Sequence, residues 1–210
     1  MTTTGTRGPY AKTAKVRQRI IRAALTAFAE TGFRATTMKE IAARAEISER
    51  GLVHHFPTKE DLLIEVLAMY EDESAEVMAA GSDDRVDGLL AVARHNLERS
   101  QMLELQNLLS AEATSPDHPA HERFRSRYDG LRDVLADDFK ARGLGAAAAG
   151  ITSEHLATMY VALLDGLELQ WLYNRDAVDV QGMMRDFLRI IAPEESFRAT
   201  TQDQARPNPA

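Results

Sequence analysis

Apolar residues recur at helical spacing along nearly the whole chain, and no segment carries the period-two alternation of a half-buried strand. That pattern excludes sheet architectures and leaves an all-α fold. Hydroxyl residues mark the expected helix starts, and Gly or Pro marks the stops. A first helix over about 13–31 carries Val16, Ile20, Ala24, Ala27 and Phe28 and stops at Gly32. Thr36 or Thr37 caps a short second helix with Met38, Ile41, Ala42 and Ala45 on one face. Ser48 caps a third that runs to Phe56, and Pro57 ends it. Thr58 then opens a long helix with Glu60 and Asp61 in its positive first turn, ending near Gly81.

Further helices are expected over about 85–99 (capped by Asp83 or Asp84), 102–115 and 119–142. A small-residue linker follows at 143–150, then an apolar helix opened by Ser153 and Glu154 that runs to Tyr173. A last one spans 179–192, before Pro193. The expected division is a flexible basic arm at 1–12, a three-helix domain at 13–57, a larger helical domain at 58–193 and a disordered polar tail at 194–210, with about nine helices in all.

The net charge of −7 argues at first against a polyanionic partner, but its distribution reverses that. Residues 1–56 hold ten basic and four acidic side chains, a balance of +6, which leaves −13 for the rest. A basic head on an acidic body turns the head toward phosphate. There are no cysteines, which removes disulfide scaffolds and thiolate chemistry. No apolar run approaches the ~18 residues of a membrane span, and Met1–Tyr10 lacks the apolar stretch of a secretory signal. A cytoplasmic protein with no membrane partner is expected.

The segment Thr37–Phe56 concentrates the chemistry. Ile41, Ala42 and Ala45 on one short helix must meet Leu52 and Phe56 on the next, and the small Ala42 lets the two axes approach closely. Ile47 plugs the turn and Ser48 satisfies free amides at the start of the second helix, which presents Glu49, Arg50 and Gly51 outward. A helix presented in this way suits the DNA major groove. Arg50 is the candidate base reader, since a guanidinium matches the O6 and N7 acceptors of guanine. Glu49 suits either a cytosine amino group or the helix N-terminus.

The pattern resembles the TetR-type repressor family. The resemblance rests on Phe33-x-x-x-Thr37-x-x-x-Ile41-Ala42, then Ile47-Ser48, Gly51-Leu52, His55-Phe56 and Lys59-x-x-Leu62, and covers about residues 13–65 closely. Farther on, Leu164–Leu172 looks like the penultimate helix of one branch of that family. The resemblance implies that Thr36, Thr37, His55 and Lys59 hold the phosphate backbone, with Ser48 and Gly51 at the groove. Two positions depart from it. Glu46 stands where the turn usually has Gly, which predicts modest strain if its φ is positive. Val53 stands where a phosphate-binding Tyr is common and cannot donate a hydrogen bond, so that contact is lost or passed to His54 or His55. Lys12, Lys15 and Arg17 are expected to add contacts from the arm.

The function this implies is a sequence-specific transcriptional regulator: a homodimeric repressor on a palindromic double-stranded operator, released by a small-molecule effector. Half-sites roughly 34 Å apart follow from the dimer. The expected dimer face is the stripe Leu156, Tyr160, Leu163, Leu167 and Trp171, with Met184, Phe187, Leu188 and Ile191, as an intermolecular four-helix bundle. Expected pocket walls are Met102, Leu105, Leu109, Phe124, Tyr128 and Met159, with Asn107, Glu112, Arg127 and Asp165 as polar anchors.

Two other classes compete. A metal-carboxylate enzyme needs inward Glu-x-x-His pairs, and none of the six histidines has Glu three residues before it. The cluster of Asp117, His118 and His121 reads as a solvated loop beside two prolines. No nucleophile elbow, zincin motif or phosphate-cradling loop is present, so neither catalysis nor a metal or cofactor is expected. A ligand-free dimeric adaptor would share the body but has no need of the basic head.

Overall fold

The computed structural model describes residues 9–80, 85–141, 143–144 and 150–191. Among these the regular elements are α-helices: α1 (Pro9–Thr31), α2 (Met38–Arg44), α3 (Glu49–His55), α4 (Lys59–Ala80), α5 (Arg85–Glu98), α6 (Ser100–Glu112), α7 (His121–Ala141), α8 (Ser153–Tyr173) and α9 (Val180–Ile191). The all-α fold matches the expectation. Helix α1 begins at Pro9 rather than Thr13, because a proline's missing N–H is no loss in a first turn. Pro9–Lys12 of the expected arm are therefore helical, and the rest of the arm lies outside the described residues. So do the Asp83 and Asp84 caps, most of the small-residue linker, and the tail. The cap of α8 is Thr152, whose hydroxyl accepts from the His155 amide at 3.3 Å, rather than Ser153. Between α6 and α7 the chain turns through Pro116 and Pro119, with the His118 amide donating to Ser115 O at 3.0 Å, so both helices are shorter than expected.

The chain divides into two compact units. The first takes everything up to Glu73 together with Gln101–His121; the second takes Ser74–Ser100 and everything from Glu122. This differs from a break after Pro57. Helices as short as α2 and α3 cannot close a core alone, and the buried Leu62, Leu63, Val66, Leu67 and Tyr70 of α4 and Met102, Leu103, Leu105 and Leu109 of α6 fall within the same unit.

In the first unit α1 packs on α2, and α2 on α3. Ile20, Ala24, Ala27, Phe28, Ile41, Ala45 and Leu52 are fully buried. Phe33, just after α1, meets Phe28 edge to face with ring centroids 5.4 Å apart.

In the second unit α9 packs on α5 and α8. Its core gathers Leu89, Leu135, Phe139, Leu156, Tyr160, Leu167, Met184, Leu188 and Ile191. This corrects the expected dimer face. Leu156, Tyr160, Leu167, Met184, Leu188 and Ile191 are each no more than 3% exposed in the single chain, so they have no surface left for a partner. Leu163, Trp171 and Phe187 are half-buried and pack against the same core. The exposed large apolar side chains of α8 and α9 are instead Met159, Leu169, Tyr173, Met183 and Ile190.

Candidate nucleic-acid interface

Three hydroxyl caps set the geometry of the head. Thr37 accepts from the Glu40 amide at 3.2 Å to start α2, and Ser48 accepts from the Gly51 amide at 3.1 Å to start α3. Thr58 and Asp61 cap each other reciprocally at α4: the Asp61 amide donates to the Thr58 hydroxyl at 3.0 Å, and the Thr58 amide to the Asp61 carboxylate at 3.1 Å. Each cap satisfies amides that a helix start leaves without acceptors. The turn between α2 and α3 passes through Glu46 at φ +52°, and the Ile47 amide then donates to Ala42 O at 3.0 Å. The strain expected of a non-glycine residue at this turn is present.

Helix α3 therefore begins with Glu49 and Arg50 exposed and Gly51 half-buried, while Leu52 anchors it inside at 0% exposure. Gly51 sits close to its own cap: an added Cβ would stand 3.2 Å from Ser48 Oγ. Val53 is 44% exposed, a bare isopropyl group on the surface of the helix. His54 is exposed and His55 half-buried, their rings 5.7 Å apart. Thr37 and Ser48 are exposed.

Two expected contact residues are committed to partners within the first unit. Thr36 is 1% exposed, its hydroxyl shared among Ala27 O, Gly32 O and the Thr31 hydroxyl, so it fixes the bend after α1 rather than facing solvent. Arg17 does not extend as an arm. Its guanidinium lies 4.2 Å above the Phe56 ring, donates to His55 O at 3.3 Å and pairs with Glu65 at 2.8 Å.

Lys59 does both jobs. Its ammonium donates to Thr36 O at 2.8 Å and Arg34 O at 3.2 Å and sits 4.7 Å from the Phe33 ring centre, which uses two of its three donors. Arg44 braces α2 against α1 by pairing with Glu30 at 2.7 Å while also bonding Glu40 of its own helix at 3.0 Å, and its hydrogen bond holds the Glu30 carboxyl below the ordinary range. Lys15, Arg19 and Arg22 are exposed on α1.

The expected pocket residues fall as follows. Met102, Leu105 and Leu109 are buried in the first unit. Asn107 donates to Leu103 O of its own helix at 3.0 Å. Glu112 lies 3.7 Å from His118, whose burial, the leading cause, holds its imidazole below the ordinary value. Phe124 is buried in the second unit, and Met159 is exposed there.

Arg127, Tyr128 and Asp165 do come together. Tyr128 donates to Asp165 at 2.9 Å, and burial, then the Asp165 charge, pushes the phenol up to about 12. Burial also raises the Asp165 carboxyl, opposed by the Tyr128 hydrogen bond and the Arg127 charge. Two members of this network were missed. Asn96 of α5 donates to Glu168 at 2.7 Å, and burial pushes the Glu168 carboxyl up to about 7. The signal for Glu168 was its place three residues after Asp165 on an apolar helix, which puts both on one face.

A capped helix-turn-helix on a helical body defines a DNA-binding regulator. The family model for bacterial regulatory proteins of the tetR family matches residues 20–66, and that for the C-terminal part of BetI-type transcriptional repressors matches 84–193. The chain belongs to the tetR family of transcriptional regulators, with the C-terminal domain of a BetI-type repressor.

It is 26% identical over 189 residues to the HTH-type transcriptional repressor KstR2 of Rhodococcus jostii, covering 83% of this chain and 88% of that one. Among solved structures it shares the fold of NalD, the secondary repressor of the MexAB-OprM multidrug efflux pump in Pseudomonas aeruginosa. That match has a TM-score of 0.68 and 21% identity over 87% of this chain and 98% of NalD. It also shares the fold of a regulator from Saccharomonospora viridis in complex with choline, at TM-score 0.69 and 22% identity over 84% and 96% of the two chains. No described helix is long and apolar enough to cross a membrane.

Proposed function

We propose that the protein acts as a homodimeric repressor that lays α3 of each protomer in the major groove of a palindromic operator and leaves it when a small molecule binds the helical body. The observation that carries this reading is the start of α3, where Ser48 caps the helix and leaves Arg50 and Glu49 exposed with no intramolecular partner among the described residues. Arg50 reads a guanine edge. Thr37, Ser48, Gly51, His54, His55, Lys59 and the exposed cations of α1 hold the flanking phosphates. Thr36 supports them from inside.

The partner for the second unit is a second copy. On α8 the exposed Met159, Ala162, Leu169 and Tyr173 lie at spacings of three, seven and four along one face. Met183 and Ile190 are seven apart on α9. An exposed apolar stripe of this kind marks an association surface. The effector site centres on Tyr128, Asp165, Glu168 and Asn96, a few polar groups set in apolar surroundings. The buried Glu168 and half-buried Asp165 carboxyls beside the Arg127 guanidinium suit a ligand carrying positive charge, and the Saccharomonospora viridis neighbour holds choline.

Fluorescence anisotropy on a duplex that the protein itself selects from a randomised pool, against a scrambled duplex across a salt series, tests the reading. Binding about a thousandfold tighter to the selected duplex is expected. Arg50→Ala should lose ~1–3 kcal/mol on the selected duplex and little on the scrambled one. Equal losses on both would remove Arg50 from base reading, and failure to select any sequence would overturn the operator reading as a whole.

A further inference from the structure

We infer that Arg17 is a positioning residue for DNA reading: its guanidinium ties the C-terminal end of α3 to α4, so that Glu65 helps set the angle at which α3 enters the groove. The inference rests on α3 being the reading helix. Arg17 lies before the residues that the tetR family model matches.

Three contacts converge on this one side chain. Its Nη1 donates to His55 O, the last residue of α3, at 3.3 Å. The final carbonyls of a helix have no acceptor role within it, and the negative end of the helix favours a cation. Its Nη2 meets Glu65 of α4 at 2.8 Å, and its Cζ lies 4.2 Å from the centre of the ring of Phe56, the C-cap of the same reading helix. All of these residues belong to the first unit.

A half-exposed ion pair is weak alone, and both side chains here are about two-fifths exposed. The geometry gives the pair its effect. A planar guanidinium with a rigid fork of donors can stack on a ring while bonding two acceptors in its own plane, and that fixes orientation as well as distance. A lysine ammonium can hold two acceptors and a ring face, as Lys59 does, but as a point charge on a flexible stem it leaves their relative orientation loose. The simpler role, a phosphate contact, would leave the guanidinium free, as Lys15, Arg19 and Arg22 leave exposed cations on the same helix.

The two roles separate experimentally in Glu65→Gln, which removes no cation. On the selected duplex this variant should bind about tenfold more weakly, within the range by which residues remote from a ligand modulate its binding. Affinity for scrambled DNA and the salt slope should stay at their wild-type values. Arg17→Ala should behave alike, and Arg17→Lys should fail to restore either affinity or the second readout.

That second readout uses no DNA: hydrogen exchange at the Leu52–Phe56 amides of the free protein should speed several-fold in both variants, so the clamp is judged even if no duplex is selected. Wild-type or tighter binding by Glu65→Gln, with unchanged exchange, would overturn the proposal. So would an Arg17→Ala loss equal on both duplexes with a flattened salt slope, which marks a phosphate contact. Full rescue by Arg17→Lys would overturn it as well, by reducing the residue to a point charge.

Discussion

The helix caps of the first unit and the buried network of the second place their polar chemistry in opposite ways. In the first, Thr37, Ser48 and the Thr58–Asp61 pair bond within three residues of themselves, near the surface, at helix starts. In the second, Asn96 reaches Glu168 and Tyr128 reaches Asp165, across 72 and 37 positions of sequence. Local surface bonds stabilise a backbone shape and can be altered one at a time. Buried bonds between distant helices act together, and here they carry titratable groups whose charge the interior resists.

The largest effect should come from emptying the core beneath the first pattern. Leu52 is fully buried, and Leu52→Ala should lower the stability of that unit by ~2–5 kcal/mol. Hydrogen exchange across α2 and α3 measures this, while the fluorescence of Trp171, the chain's one tryptophan, follows the second unit. A denaturation midpoint of Trp171 that falls as far as the first unit's own stability would show the two units unfolding as one and blur the contrast.

The second effect addresses the buried network. Glu168 titrates near 7 in the folded chain against an ordinary 4.5, so folding favours its protonated form. The stability this contributes is complete below 4.5 and is lost as pH rises through 7. Glu168→Gln keeps an acceptor for Asn96 and has no such slope. At about pH 8 the variant should be more stable than the wild type by on the order of 2–3 kcal/mol, read from the Trp171 transition. A wild-type pH profile as flat as the variant's would mean that Glu168 keeps its charge at no cost, and the contrast between the units would fail there.

The smallest effect concerns the turn. Glu46→Gly should stabilise the first unit by about 1 kcal/mol by relieving a left-handed residue, checked by thermal melting. A destabilisation would show that the Glu46 side chain contributes more than its backbone costs.

The same contrast explains what could be read in advance. The caps at Thr37 and Ser48 and the positive φ at Glu46 were legible, because each depends on residues no more than a few positions away. The family resemblance places Thr36 on the phosphate backbone, and only the closeness of Ala27 O and Gly32 O turns its hydroxyl inward. Nothing local links residue 17 to 55 or 65, so the Arg17 clamp left no trace in the sequence. The expected α8 stripe lies in the protomer's own core, because that helix is apolar on more than one face and periodicity cannot say which face the protomer keeps. Helix α9 decided it by covering Leu156, Tyr160 and Leu167 within the same core.

The left-handed residue at the α2–α3 turn also sets what the segment can tolerate over time. One residue inserted or removed between Ala45 and Ser48 would pull the start of the reading helix away from the bond between the Ile47 amide and Ala42 O that seats it. Arg50 would then leave the groove-facing side, and Leu52 would leave its seat in the core. The turn can therefore drift in residue type, as Glu46 demonstrates, but its length is frozen.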